Sequence, residues 1–296
     1  MLDLNNLITE KRNPDTWELD EMTPFEIARI MNREDQKVVE GVQRVLPEVA
    51  RAIEWVRDTF ERGGRLIYLG AGTSGRLGVL DSVECPPTFG VSPDQVIGLM
   101  AGGEKAFVKA VEGAEDSPGL AVEDLKKIRL DKQDILVGIA ASGRTPYVIG
   151  GLKYARSIDC PTVAVACNKG SEIGKEADLA IEPMVGPEIL TGSTRLKAGT
   201  AQKMILNMIS TGAMVGIGKV YENLMVDVVQ TNEKLCVRAR NIVMMATECG
   251  PDEAQKLLEE AEGNAKTAIV MKLLDCSAEE ASDKLKRSHG HIRRCL

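Results

Sequence analysis

The sequence predicts an α/β protein: a doubly wound, mainly parallel five-stranded sheet, with N-terminal helices ahead of it and a small C-terminal helical subdomain behind it. Three observations carry that expectation. Short runs of Val, Ile, Leu and Ala alternate with helical stretches from about residue 65 to 217, the pattern of a parallel sheet covered on both faces. The first run, Arg65–Leu69, leads straight into GAGTSGR (Gly70–Arg76), a glycine-rich turn that opens a helix. After about Lys219 only helical patterns remain.

Taken in order, Thr23-Pro24-Phe25-Glu26 has the capping-box pattern with proline at the first helical position, so a helix starts there. A second helix is expected over about Asp35–Arg62, kinked at Pro47 and stopped by Gly63-Gly64. The sheet region then reads as strand Arg65–Gly70, helix Arg76–Glu84, strand Val96–Ala101, helix Lys105–Glu115, helix Leu120–Ile128 and strand Asp134–Ala141. Helix Tyr147–Ile158, strand Thr162–Cys167, short strand Leu179–Pro183 and a long helix from about Lys197 to Ile217 follow. Pro86 and Pro87 are expected to turn the chain immediately after Glu84. Helices Asn232–Glu248, Glu253–Glu262, Thr267–Leu274 and Ser277–Arg287 complete the chain, the last opening on a second capping-box pattern, Ser277 and Glu280. The expected division is an N-terminal helical segment (1–54), a central α/β domain (55–218) and a C-terminal helical subdomain (219–296).

Composition narrows the function. The 296 residues are 44% apolar but only 3% aromatic, so a large core must be aliphatic and Met-rich. A formal charge of -7 argues against a nucleic-acid partner, whose binders show basic patches. It leaves room for a small anion held by backbone dipoles. The seven Cys have no C-x-x-C spacing, and the two His, His289 and His291, sit in a basic tail. No metal site is expected, and the thiols read as those of a reduced, cytoplasmic protein. The N-terminus has no apolar signal-peptide core, and no run approaches the ~18 apolar residues of a membrane span, so no membrane partner is expected.

Function concentrates at strand-to-helix junctions. A strand, a glycine-rich turn and a helix start present free N–H groups and the positive end of the helix dipole to an anion. Gly70, Gly72 and Gly75 fit the dinucleotide pattern G-x-G-x-x-G. That reading also needs an acidic residue ending the second strand. Here the strand ends Leu99-Met100-Ala101-Gly102-Gly103, with Glu104 already opening a helix, so a nicotinamide cofactor ranks low. Instead, the hydroxyls Thr73 and Ser74 are echoed by AASGRTP (Ala140–Pro146) and by TGSTRLKAGT (Thr191–Thr200). Each junction alone could be ordinary capping. Three at equivalent strand ends favour a phosphate site, with Thr73, Ser74, Ser142 and Thr145 as anchors. Gly72, Arg144, Ser193, Thr194 and Lys197 are candidates for further substrate contacts. Ser74 and Ser142 lack a partnering His and the G-x-S-x-G pattern expected of nucleophiles. Among acids, Glu84 and Glu115 stand beside Asp81, Glu112 and Asp116 with nothing in the residues alone to separate them.

Longer motifs do separate them. LGAGTSGRLGVLDSVECPPTFG (Leu69–Gly90), AVEGAED (Ala110–Asp116), GIAASGRTPYV (Gly138–Val148) and GPEILTGSTRLKAGTAQK (Gly186–Lys203) resemble the N-acetylmuramic acid 6-phosphate etherases. The likeness extends from LITEKRNP (Leu7–Pro14) to the C-terminus. It implies a SIS domain, a phosphosugar-binding α/β fold related to glucokinase regulatory protein, and a ubiquitin-associated-like (UBA-like) C-terminal subdomain. It implies cleavage of the D-lactyl ether at C3, giving N-acetylglucosamine 6-phosphate and D-lactate. Glu84 of SVECPP then takes the acid role, and Glu115 of EGAED belongs to the acid/base machinery. The segment DSVECPP departs from the more usual DASECPP beside, not at, Glu84.

An ether is a poor leaving group, but the open-chain aldehyde makes the C2 proton removable. A base at C2 and an acid at the C3 oxygen suffice, without metal or redox cofactor. Such an acid needs a raised pKa, so Glu84 is expected to be desolvated and near another carboxylate. SIS proteins commonly pair, with sites completed across the interface, so a homodimer is expected. The N-terminal helices and the Met204–Met214 face are candidate interface. Two other functions fit parts of the pattern: a phosphosugar aldose–ketose isomerase, which needs no acid at C3, and a non-catalytic phosphosugar sensor, which could dispense with the Glu pair.

Overall fold

The computed structural model describes residues 7–109, 111–229 and 233–296. These form two compact units: residues up to Val83 with Asp94–Ser210, and Glu84–Pro93 with Thr211–Leu296.

In the first unit, α1 (Pro24–Gln43) begins at the expected capping box, with Thr23 Oγ1 accepting from the Glu26 N–H and the Glu26 carboxylate accepting from the Thr23 N–H. The chain breaks at Arg44-Val45, and α2 (Leu46–Glu61) restarts with Pro47 in its first turn. There a missing N–H costs nothing, so the proline begins a helix instead of kinking one. Next come β1 (Leu66–Gly70), α3 (Gly72–Phe89), β2 (Val96–Met100), α4 (Glu104–Val108) and α5 (Pro118–Lys127). Then follow β3 (Ile135–Ile139), α6 (Pro146–Ser157), β4 (Thr162–Val165), α7 (Glu172–Glu176), β5 (Leu179–Ile181) and α8 (Lys197–Gly216).

The five strands are all parallel, in the order β2-β1-β3-β4-β5. Strands β1 and β3 are buried along their whole length, as a sheet covered on both faces requires. On one face Ile67, Leu69 and Leu136 pack with Leu125 of α5 and Val148 and Leu152 of α6. The core is aliphatic, as the scarcity of aromatics demands. The polar end of buried Tyr68 is satisfied by Asp81, which accepts its hydroxyl proton at 2.8 Å.

Two local expectations fail here. Helix α3 does not stop after Glu84 but runs through Pro86 and Pro87 to Phe89. Proline's fixed φ is itself helical, and the cost falls on the two carbonyls one turn back, which lose a donor and meet the rings. Gly90, at φ +61°, ends the helix. The helix expected over Lys105–Glu115 stops at Val108, where Lys109 turns extended. Glu115 therefore lies in a loop. Ala110, inside that expected helix, is outside the described residues.

The second unit holds a short antiparallel hairpin, β6 (Val220–Tyr221) and β7 (Leu224–Met225). Helices α9 (Glu233–Thr247), α10 (Pro251–Glu260), α11 (Ala265–Leu274) and α12 (Ala278–Arg287) follow. Two-residue strands are too short to leave a periodic signal, which is why the sequence reads as helical only. Asn232, the expected start of α9, lies outside the described residues. Val243, Leu258, Ile269 and Ala281 form this unit's core, and Ser277 and Glu280 complete the second capping box. No helix among the described residues is long and apolar enough to cross a membrane.

Candidate active site

The order β2-β1-β3 reverses the direction of strand addition at β1. In open α/β sheets ligands bind beyond the carboxyl ends of the strands at such a switch point. Gly70 and Ile139 are in register, so the loops after β1 and β3 leave the sheet side by side. A cavity of about 320 Å³ opens there. Ala71, Gly72, Thr73 and Ser74 line it from the first loop, and Ala140, Ala141, Ser142, Arg144, Thr145 and Pro146 from the second. Glu115, Asp116, Thr194 and Glu10 complete the wall.

Close backbone packing shapes the first loop. A Cβ on Gly70 would lie 2.7 Å from the Gly75 nitrogen, and one on Gly75 would lie 2.7 Å from the Met100 Cβ. Neither position admits a side chain, so the turn folds tightly enough to start α3 under the cavity. In the second loop Ser142 Oγ accepts from the Arg144 N–H at 3.3 Å, which leaves its own proton available. Thr145 occupies the N-cap of α6, yet its side chain makes no capping bond. Among the described residues Thr73 Oγ1 has no protein partner either. These hydroxyls, with the N-termini of α3 and α6, make an anion site. Glu115 is held beside it because its carbonyl accepts from the Tyr147 N–H, in the first turn of α6, at 3.0 Å.

The cavity gathers Thr73, Ser74, Ser142 and Thr145 together with Gly72, Arg144, Thr194 and Glu115. Arg144 also pairs with Glu172 at 2.9 Å. Ser193 is not in the lining, and Lys197 is a correction. Its side chain is 1% exposed and its ammonium is 2.7 Å from Glu34, itself fully buried. It faces the protein interior because Glu34 needs it there. Burial alone would raise the Glu34 carboxyl; hydrogen bonds from Lys197, Lys37 and Asn13 outweigh it and hold the group down at about 2. Glu188, also buried, accepts the Lys197 and Ala198 N–H groups at 2.9 and 3.0 Å and so caps α8. Burial pushes its carboxyl up against those bonds.

Of the competing acids, Asp81 is buried and accepts from Tyr68, Asn207 and Ser210. It is structural. Glu112 is outside the lining, and Asp116 is within it. Glu84 does not line this cavity. It stands eleven residues after Thr73 on the same helix, about 16 Å further along at 1.5 Å per residue. It is exposed, and so is Glu115. The expected desolvation of Glu84 is therefore not found within one chain, because its stretch of α3 faces outward with Leu80 and Val83.

Glu10 is the wall residue that sequence reasoning missed. Nothing in hydrophobic period or junction chemistry marks it. It is placed by Asn168, whose Oδ1 accepts from the Ile8 N–H at 2.8 Å. The Asn168 amide donates to Thr9 Oγ1 and to the carbonyls of Ala141 and Ser142. One side chain thus ties the N-terminal segment to the second loop. Among the described residues no three His, Cys, Asp or Glu side chains come together as a metal site would need.

Comparison with known proteins agrees with this fold. Residues 48–156 match the model of the glucokinase regulatory protein N-terminal SIS domain, and residues 118–211 that of the SIS domain. The chain is 58% identical over 293 residues to an N-acetylmuramic acid 6-phosphate etherase of Geobacillus sp. strain WCH70, covering 99% of both chains. It is 57% identical to the one of Exiguobacterium sp. strain AT1b, covering 99% of this chain and 100% of that one. Among solved structures, a phosphoheptose isomerase from Francisella tularensis superimposes with a TM-score of 0.50 at 16% identity, over 66% of this chain and 100% of that one. At that identity it speaks for the fold alone.

Proposed function

The chain belongs to the N-acetylmuramic acid 6-phosphate etherase family, and on that premise we propose how its cavity carries the reaction. The protein is an etherase: it cleaves N-acetylmuramic acid 6-phosphate at the lactyl ether, giving N-acetylglucosamine 6-phosphate and D-lactate. The observation that carries the proposed site is the meeting of Glu115 with the hydroxyls of Thr73, Ser142 and Thr145 in one cavity at the switch point.

In this reading the 6-phosphate rests on the two helix N-termini and these hydroxyls and does not react. Its binding energy holds C2 and C3 of the open-chain sugar in place. A carboxylate removes the C2 proton, a carboxylic acid protonates the lactyl oxygen, and the C3–O bond breaks to leave an unsaturated aldehyde. Water then adds at C3 and a proton returns to C2. Glu84 takes the acid role, with Glu115 in the same acid/base machinery. The acid role calls for a desolvated carboxyl, and Glu84 is exposed in the single chain. The reading therefore includes a homodimer, in which a second copy covers the outward face of α3, with Leu80 and Val83 beside Glu84. That cover would supply the desolvation a single chain lacks. The seven free cysteines support a reducing, cytoplasmic location.

Incubating the purified protein with N-acetylmuramic acid 6-phosphate and measuring D-lactate tests the activity. Lactate well above the blank is expected, and none would overturn the reading. Isomerisation of the phosphosugar without lactate would identify the isomerase instead.

A further inference from the structure

Glu10 brings a negative charge to a cavity whose chemistry favours an anion. It ends a short 3-10 turn, Ile8–Glu10, and shares the wall with Glu115 and Asp116. Arg144, the cation of the lining, is paired with Glu172. Among the described residues the half-buried Glu10 carboxylate has no hydrogen-bond or ion-pair partner. It rests against the loop that supplies Thr194, since a Cβ on Gly192 would lie 3.3 Å from Glu10 Oε2.

The segment that carries Glu10 is fastened on both sides. Ahead of it, Asn168 accepts from the Ile8 N–H and donates to Thr9 Oγ1 and to the carbonyls of Ala141 and Ser142. An amide N–H only donates and a carbonyl only accepts, so these partners fix both ends of the carboxamide. Behind it, Asn13 donates to Glu34 at 2.9 Å and to the Pro187 carbonyl at 3.3 Å. Thr16 donates to the Ile189 carbonyl at 2.8 Å. The side chains of Thr9, Asn13 and Thr16 are buried and committed to holding the segment, and the Glu10 carboxylate is not. Because the Asn168 bonds end on Ser142, Glu10 is held at the phosphate end of the cavity.

A carboxylate in that place repels phosphate, most strongly where water is partly excluded, and it can accept only from donors. The donors nearest the phosphate of a phosphosugar are the hydroxyls on C4 and C5, the second freed when the ring opens. Bare phosphate meets the repulsion and gains nothing in return. A phosphosugar meets the same repulsion and offsets it with hydrogen bonds to a charged acceptor, the stronger kind. Discrimination arises from such a difference between two ligands. We propose that Glu10 is a specificity-determining residue: its carboxylate accepts hydroxyl protons of the sugar chain beside the phosphate and turns bare phosphate away. This rests on the phosphosugar reading of the cavity but not on the ether chemistry.

The test compares the wild type with Glu10→Ala and Glu10→Gln. Binding of inorganic phosphate, of N-acetylglucosamine 6-phosphate and of its 4-deoxy and 5-deoxy counterparts is measured by calorimetry, with KM and kcat for lactate release alongside. Glu10→Ala should bind N-acetylglucosamine 6-phosphate about tenfold or more weakly, as expected for the loss of a hydrogen bond to a charged group. Glu10→Gln keeps an acceptor without the charge and should fall between. Both should bind inorganic phosphate at least as tightly as the wild type. KM should rise with the loss of sugar affinity, and kcat should change less. Both variants should fold with the wild-type urea midpoint, because the Glu10 side chain bonds to nothing in the chain.

The deoxy sugars locate the contact. At least one should bind the wild type about tenfold more weakly than the parent sugar and lose little more in Glu10→Ala, the coupling expected of two groups in contact. If both deoxy sugars lose their full amount again in Glu10→Ala, Glu10 does not bind those hydroxyls and the proposal fails. A purely structural role would weaken phosphate and phosphosugar in parallel, and that result overturns it too, as does an unchanged sugar affinity in Glu10→Ala. Wild-type protein that binds N-acetylglucosamine 6-phosphate but releases no lactate would refute the etherase chemistry and leave this comparison intact.

Discussion

Two polar clusters in the same α/β unit behave in opposite ways. At the switch point, Thr73, Ser142 and Thr145 line a cavity with hydroxyl protons uncommitted. In the cluster around Glu34, the carboxylate accepts from Asn13 at 2.9 Å, Lys37 at 2.5 Å and Lys197 at 2.7 Å. The residue types overlap and the sequence motif is shared, since TGSTRLKAGT supplies Thr194 to the cavity and Lys197 to the interior. What separates a binding group from a structural one is whether its hydrogen-bonding capacity has already been spent. A buried pair like Lys197–Glu34 must be spent, because an unpaired charge there would be ruinous. A group meant for a ligand has to be left in want.

The sharpest way to test the contrast is to disable each cluster and ask what is lost. Glu84→Gln and Glu115→Gln keep shape and remove acid/base capacity. Each should lower kcat for lactate release by about 10²–10⁴, with urea midpoints unchanged, since neither carboxylate is buried in the chain. Near-normal turnover in either variant removes that residue from the mechanism. Lys197→Met should do the converse. It removes the buried cation beside Glu34 and leaves the carboxylate to Lys37 and Asn13, so unfolding free energy should fall by up to about 3–5 kcal/mol. The folded fraction should keep its phosphate affinity. A stable Lys197→Met protein that has lost phosphate binding would return Lys197 to the cavity.

Acid should expose the same division at a smaller scale. The folded Glu34 carboxyl lies at about 2, below its ordinary 4.5. A depressed acid stabilises fully above its unfolded value and loses that contribution as pH falls toward its folded one. The window is therefore about pH 4.5 down to 2, and the loss is on the order of 3 kcal/mol. Glu188 has the opposite sign: its raised carboxyl contributes most below 4.5 and less as pH rises through its folded value. Urea melts from pH 5 to pH 2 should show the first effect, and Glu34→Gln should flatten the slope. An unchanged slope would mean that Glu34 is not the group lost.

The same distinction explains how far the sequence could be read. All five strands, their parallel arrangement and the two hydroxyl loops were legible, because buried aliphatic runs and Ser-Gly-Arg turns are local signals. The loop that holds Glu115 was not legible, since Lys109 ends α4 where the helical pattern continues. Lys197 reads from the sequence as a substrate contact because the partner that fixes its fate, Glu34, lies 163 positions away. Glu10 was invisible for the same reason, being set by Asn168. Pairings between distant polar residues leave no periodicity, and burial of a lysine is the outcome that composition argues against.

The finest test sets two N-caps side by side. Ser171 caps α7 by accepting the Gly174 N–H at 2.9 Å. Thr145 stands at the start of α6 and caps nothing. Replacing a working cap with alanine costs about 1 kcal/mol, so Ser171→Ala should be less stable by that amount with KM near the wild-type value. Thr145→Ala removes no intramolecular bond, so its stability should stay within about 0.5 kcal/mol. Its cost should appear only when phosphate is present, as a KM raised about tenfold, or ~1.4 kcal/mol. Phosphate should then stabilise the wild type against heat more than it stabilises Thr145→Ala, because at a given phosphate concentration the stabilisation grows as RT ln(1 + concentration/Kd) and so is larger for the tighter binder. If both variants instead lose stability equally in the absence of ligand, the Thr145 hydroxyl is an ordinary cap and the anion site must be built without it.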